Sequence, residues 1–338
     1  MSHIARWDLD KTYLRTDFDT LRDIVRTALE RPDQKMTNPG ASTLLREMVR
    51  GGMSVHILSG SPEQMRRRLE DKLRLDGITW DSFTLKPNLQ NLVRFRFRAI
   101  RDQLGSTLPA LLRARATESA AAQDASRKET LFGDDAEADA FVYSLYADVL
   151  AGRASDTLLV DVLERGRVYP DIIAGAVEDA RMLEHHDEVV ERILIHLERQ
   201  TPPDDFRLYG GRAVPFYNYL QAAFVLFEDA RLSADAVLRV AVELAVDHHF
   251  DGDALARSYL DLARRGHLRG ARIDELAQAF ESWIAREKVP AADDLRVMVA
   301  RLPALAVGAA SSWRGAEPAT IDYLEVVERH NRRRGRGR

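Results

Sequence analysis

Residues 3–12 read HIARWDLDKT. A short strand-like run, His3–Asp8, ends in two acids spaced one apart, Asp8 and Asp10. Two later stretches share this shape. MSVHIL (53–58) runs into Ser59-Gly60-Ser61, and ETLFG (129–133) runs into Asp134-Asp135. Each apolar run is short, ends in polar residues, and is followed by apolar spacing of helical period. Such strand–helix alternation predicts an α/β protein built on a doubly wound, parallel, Rossmann-like sheet. Ligands of such sheets bind outside the carboxyl ends of the strands. The three polar ends are therefore expected to converge on one crevice.

Around these strands the periodicity predicts helices over 18–31, 42–50, 62–75 and 137–150, with Pro62 in the first turn of the third. SFTL (82–85) is a third strand by position, and Lys86-Pro87 opens a further helical stretch. The Ala/Ser-rich segment 116–128 reads as a mobile surface loop. The run Val93–Arg98 (VRFRFR) reads as an amphipathic helix whose arginine stems cover apolar surface. Residues 151–330 show almost only helical spacing, with helices expected near 155–165, 170–199, 214–229, 233–249, 252–265, 272–286, 291–302 and 318–330. The expected organisation is an α/β domain over 1–150, an all-α domain of unassigned role over 151–330, and a disordered basic tail over 331–338.

The 338 residues include no cysteine, which excludes a disulfide scaffold, a thiolate metal site and a cysteine nucleophile. No basic run followed by an apolar stretch opens the chain, and nowhere do 18 apolar residues run together. The expectation is a soluble cytoplasmic protein with no transmembrane segment. Of 49 basic residues, 43 are Arg and six are Lys: Lys11, Lys35, Lys72, Lys86, Lys128 and Lys288. That bias is expected of a GC-rich bacterial genome. The formal charge is −4, and removing the five arginines of 331–338 takes the body to −9. An acidic body with a basic tail is not a general nucleic-acid binder; contact with nucleic acid is expected only through the tail. His185-His186 and His248-His249 are adjacent pairs on helices. Their side chains diverge, so they are not expected to share a metal.

The polar strand ends have a joint chemistry. Asp8, Asp10, Asp134, Asp135 and Asp139 in one crevice would repel one another unless a cation neutralises them. An oxygen-only set with few carboxylates suits Mg²⁺, completed by water and a phosphate. Ser59 and Gly60, before a helix opening at Pro62, offer a hydroxyl and backbone N–H groups to an anion. A cation site facing an anion site points to phosphoryl chemistry.

In that order, WDLDKT (7–12), HILSGSP (56–62) and GDDAEAD (133–139) resemble three motifs of the haloacid dehalogenase superfamily of phosphohydrolases. LDKTYLRT, HILSGSPEQM and the GD-x-x-E-x-D run with Tyr143 close behind are most similar to the catalytic domain of the actin-patch-associated phosphatidate phosphatase family. The resemblance covers about residues 3–150. It implies a Mg²⁺-dependent phosphatase that works through an aspartyl-phosphate. Asp8 would be the nucleophile, and Asp10 the acid that protonates the leaving group and then activates water. Thr12 would hold the loop, and Ser59 with the Gly60 amide would bind phosphoryl oxygens. Asp134 would bind the metal together with the Asp8 carboxylate and the Asp10 carbonyl. Asp139 would orient the metal's waters, with Asp135 sharing that role. The implied substrate is a phosphomonoester, either a phosphorylated small molecule or a lipid such as phosphatidate.

Two positions depart from the family pattern. Lys11 stands where glycine is common. The phosphoryl-neutralising Lys or Arg is missing from Gly105-Ser106-Thr107-Leu108, where the helix before the fourth strand is expected to start. Lys86 is then the leading cation, with Arg94, Arg98 and Arg101 as weaker substitutes and Lys11 and Lys128 as outsiders. These departures leave an alternative of another class, a catalytically degenerate phosphatase fold that acts as a binding or regulatory module, its helical half recognising a protein partner.

Overall fold

A computed structural model describes residues 3–14, 36–86, 99–118, 127–315 and 317–335. Six parallel strands form one sheet: β1 (Ile4–Asp8), β2 (Ser54–Pro62), β3 (Ser82–Lys86), β4 (Glu129–Asp134), β5 (Val190–His196) and β6 (Ala213–Phe216). Their order is β3-β2-β1-β4-β5-β6. All five pairings are parallel. This is the doubly wound order of a Rossmann-like sheet. The direction of winding reverses between β1 and β4, and the carboxyl ends at such a reversal are where ligands of these sheets bind.

The β1 register shows how one strand serves two faces. Ala5 and Trp7 face one apolar cluster, which also takes Val55, Ile57 and Phe132. Arg6 and Asp8 point to the opposite side, as the two-residue period of a strand requires. Trp7 is fully buried and stacks on Phe132 at 4.0 Å and on Tyr219 at 5.7 Å between ring centroids.

Helices cover both faces. On the Trp7 side lie α1 (Ala41–Arg50), α2 (Arg66–Leu75), α7 (Tyr219–Glu228), α8 (Ala234–His248), α9 (Gly252–Arg264), α10 (Ile273–Arg286) and α11 (Ala292–Ser312). On the other side lie α3 (Ala99–Ala116), α4 (Asp139–Leu150), α5 (Asp156–Arg165), α6 (Pro170–Arg181) and α12 (Tyr323–Gly335). Every residue of α7 is buried, so its sequence YLQAAFVLFE is apolar nearly all round.

The all-α expectation for 151–330 is corrected. The stretch expected as one helix over 170–199 divides into α6 and strand β5, and the stretch 214–229 divides into β6 and α7. Both strands join the sheet of the first half, so residue 150 is not an edge of that sheet. Strands buried on both faces are continuous apolar runs and lack the alternation that separates strand from helix. β6 contains Pro215 and sits at the sheet edge, where a missing N–H is tolerated.

Smaller corrections follow the same physics. β2 continues through Pro62, which pairs with Lys86 past a register shift, and the α-helix begins only at Arg66. Gly105–Leu108 lies inside α3, not at its start. Of the expected disordered tail over 331–338, residues 331–335 are helical, and 336–338 lie outside the described residues. Arg332 there pairs with Glu328 one turn earlier, and Arg329 with Glu325. By length and composition alone α11 is apolar enough to cross a membrane, although no 18 apolar residues run together in it. Its Leu295, Met298, Val299, Leu302 and Ala309 are nevertheless buried against the core. The expected helix over 18–31, the run 93–98 and most of the loop 116–128 lie outside the described residues.

Candidate functional site

Asp8 closes β1 and Asp134 closes β4, so the strand ends at the winding reversal each deliver one carboxylate. The third, Asp139, opens α4 five residues on. One oxygen from each lies within 4.8 Å of the others. All three residues are buried, at 8 %, 1 % and 1 % exposure.

Each carboxylate is held by a local contact. The Thr12 hydroxyl donates to Asp8 Oδ2 at 3.2 Å. Asp134 Oδ1 accepts the backbone N–H groups of Ala136 and Glu137, at 2.6 and 2.9 Å. Asp139 Oδ2 accepts the backbone N–H of Asp134 at 2.9 Å. That fold-back needs Gly133. A Cβ there would sit 2.3 Å from Asp139 Oδ2 and 2.6 Å from its Cβ. Gly133→Ala is thus expected to push Asp139 out of the cluster. The expected loss is about 1–3 kcal/mol of stability, as for other overpacked sites, and about tenfold or more of divalent-ion affinity. Urea melts and Mn²⁺ titration read the two effects; unchanged Mn²⁺ affinity would show that Asp139 is dispensable.

Asp10 is placed differently. Its carboxylate faces the end of β2, where Ser59 Oγ donates to Oδ2 at 2.7 Å and Ser61 Oγ lies 3.2 Å from both oxygens. Ser59 Oγ in turn accepts the Ser61 backbone N–H at 3.0 Å. Ser59 is therefore the link between β2 and the Asp10 loop, not a residue at a helix start.

Electrostatics set the state of this cluster. Burial pushes the Asp8 carboxyl well above the usual carboxylate range, and the charges of Asp139, Glu137, Asp10 and Asp134 push it the same way. Asp134 is also raised well above it, by burial and then by Asp139 and Glu137, while the Glu137 N–H bond and the charge of Lys11 act against the rise.

The remaining expected residues divide. Thr12 and Ser59 join the carboxylates, as above. Gly60 lies on β2 between the two serines that hold Asp10. Asp135 turns away: its carboxylate accepts the backbone N–H groups of Arg199 and Thr201, at 2.7 and 2.9 Å, and so ties down the loop after β5. Adjacent residues at a strand end face opposite ways, which is why Asp134 and Asp135 part. Arg101 stacks on Tyr169, 5.0 Å from its ring centroid, on the α3/α6 side of the molecule. The backbone of Lys86 ends β3, two strands from β1; its side chain, Arg94 and Arg98 lie outside the described residues.

Three further residues shape the site. Asn38 donates from Nδ2 to the carbonyls of Lys11 and Thr12, at 3.0 and 2.8 Å. The Tyr219 hydroxyl, from α7, donates to the same Thr12 carbonyl. Glu137 adds a charge felt by both Asp8 and Asp134. Tyr219 is 207 positions from Thr12, so no local spacing could announce it.

The donor set fits a hard divalent cation. Asp134 Oδ2 is buried with no hydrogen-bond partner among the described residues, and it belongs to a cluster of three carboxylates. A buried, unpaired carboxylate oxygen among like charges is neutralised by a proton or by a counter-ion, and an oxygen-only set of this size suits a hard divalent one. Comparisons add nothing to this geometry. No family model matches the chain, and no curated protein or solved structure matches it.

Proposed function

We propose that this protein is a Mg²⁺-dependent phosphohydrolase with a haloacid dehalogenase-like core, acting on a phosphomonoester through an aspartyl-phosphate on Asp8. The observation that carries this reading is the meeting of Asp8, Asp134 and Asp139 at the winding reversal, with one Asp134 oxygen buried and unpartnered among the described residues. The order in which WDLDKT, HILSGSP and GDDAEAD supply the surrounding groups supports it.

In this reading Asp8 and Asp134 hold the metal, with the Asp10 carbonyl as a further oxygen, and Asp139 fixes Asp134 through the backbone N–H it accepts. Bound there, the metal supplies charge neutralisation for the carboxylates and the phosphoryl oxygens. The chain's own residues do the rest. An ionised Asp8 oxygen attacks phosphorus in line as the bond from phosphorus to the leaving oxygen breaks, and Thr12 holds the other carboxylate geometry. Asp10, kept beside Asp8 by Ser59 and Ser61, gives its proton to the leaving oxygen. Asp10 then takes a proton from the water that attacks the aspartyl-phosphate, releasing phosphate and restoring Asp8.

The test is hydrolysis of p-nitrophenyl phosphate by the wild-type chain. The expected result is turnover that requires Mg²⁺ and stops with a chelator. Borohydride reduction of the working protein should convert one residue, Asp8, to homoserine, read by peptide mass spectrometry. No turnover over a panel of phosphomonoesters, with Mn²⁺ still bound, would replace the enzyme by a degenerate binding module.

A further inference from the structure

We propose that Lys11 is a catalytic cation of this site, its ammonium contacting an oxygen of the transferring phosphoryl group. The inference rests on the phosphohydrolase reading and deepens it.

Among the described residues, Lys11 is a cation whose charge acts on the acids around Asp8 and Asp134. Asp10, Asp134, Glu137 and Asp139 all act on Asp8, and Asp139 and Glu137 act on Asp134. A phosphoryl group brings further negative charge, and its transfer depends on neutralising that charge in place. The six lysines can be sorted by position. Lys72 pairs with Asp76 at the end of α2, at 2.7 Å. Lys128 precedes β4 at the amino end of the sheet, where its Nζ donates to the Glu188 carbonyl. Lys288 is exposed beyond α10. Lys35 lies outside the described residues, and Lys86 ends a strand separated from β1 by β2. Lys11 alone among the described lysines follows β1 directly, between Asp10 and Thr12.

Its conformation points the same way. Lys11 has φ +61°, in the left-handed region that a lysine adopts only at a cost. The turn is held by Asn38, whose amide binds the Lys11 and Thr12 carbonyls, and by Tyr219 on the Thr12 carbonyl. The residue is only 8 % exposed, and its charge favours ionised Asp134. A long cationic side chain is thus kept buried beside the acidic cluster by a strained turn that contacts from α7 and the α1 approach hold in place. Glycine would relieve the strain, but it would also remove the charge.

Three proteins test the assignment: wild type, Lys11→Met and Lys11→Arg. Lys11→Met keeps the side-chain length and the backbone strain. Its kcat on p-nitrophenyl phosphate is expected to fall about 100-fold, and Lys11→Arg should recover part of that. Beryllofluoride binding, read by ¹⁹F NMR on the Mg²⁺-loaded protein, should weaken in Lys11→Met. Mn²⁺ affinity without substrate should hold or rise, because a positive charge beside three carboxylates has gone. Wild-type turnover in Lys11→Met would overturn the inference and leave the phosphohydrolase reading standing. Loss of Mn²⁺ binding together with activity would overturn it too, since Lys11 would then only support the centre. A wild-type protein that neither turns over phosphomonoesters nor binds beryllofluoride would remove both.

Discussion

Asp8→Asn is expected to lower p-nitrophenyl phosphate turnover by about 10⁴-fold or more, the scale on which covalent catalysis fails when its nucleophile is removed. An amide cannot form the acyl phosphate, and no neighbouring carboxylate can take over. Asp134 is tied to two backbone N–H groups, Asp139 to one, and Asp10 to two serine hydroxyls. The same substitution should leave the protein folded. The introduced amide oxygen can still accept from Thr12, and removing one of five crowded acids relieves repulsion in the metal-free state. The variant's metal-free melting temperature at mildly alkaline pH is therefore expected to exceed that of wild type, while the rise on adding Mg²⁺ shrinks. This pairing separates a lost nucleophile from a lost fold. A variant that keeps wild-type turnover would exclude Asp8 as nucleophile. One that loses turnover and melts lower without metal would show that Asp8 serves the fold.

Much of this architecture is readable in residue order, because four strands end in polar residues or a turn and are followed by helix periodicity. β1 to β4 lie within a few residues of where the sequence pattern puts them, and the convergence of Asp8, Asp10, Ser59 and Asp134 follows from their position at carboxyl ends. Three things escape for physical reasons. The first is β5. In EVVERILIH the apolar residues Val189, Val190, Ile193, Leu194 and Ile195 fit helical spacing as well as a strand buried on both faces. Only their β-branched composition favours the strand. The second is the roles of neighbouring polar residues. Asp134 and Asp135 are identical in sequence character, yet one joins the cluster and the other closes a loop. The third is contact across the fold. Asn38 and Tyr219 converge on one carbonyl, and Tyr219 lies in the half that carries no chemical signal of its own. Helix α7 thereby makes the second half part of the site.

Metal-free protein is expected to lose stability as pH rises from about 3.8 through the raised carboxyl range, and Mg²⁺ is expected to return it. Asp8 and Asp134 have folded-state pKa values raised above the ordinary 3.8. Between that value and the raised one, the folded protein keeps protons that the unfolded chain has released. Stability therefore falls as pH climbs through the window, by up to about 1.4 kcal/mol per pH unit for each retained proton. Three histidines, His3 buried and His56 and His267 half-buried, act in the opposite sense. Burial lowers His3 and His56 from 6.5 to about 4 and His267 to about 3, so their contribution is complete above 6.5 and is lost as pH falls. Above 6.5 they are silent, and a decline between there and about 9 belongs to the carboxylates, since the buried tyrosines, raised from 10, act only at higher pH. A divalent ion displaces the shared protons, so its stabilising effect should grow with pH and its binding should release protons. Asp139 is the largest charged contributor to both raised values, which makes Asp139→Asn the sharpest control. The amide oxygen of that variant can still accept the Asp134 N–H, so the fold-back survives while the charge does not. Urea midpoints across neutral to alkaline pH, with chelator and with excess Mg²⁺, should show a steep metal-free decline in wild type and a shallow one in Asp139→Asn. Equal slopes in the two proteins would mean that the three acids do not share their protons, and that the charge crowding on which the proposed metal site depends is absent.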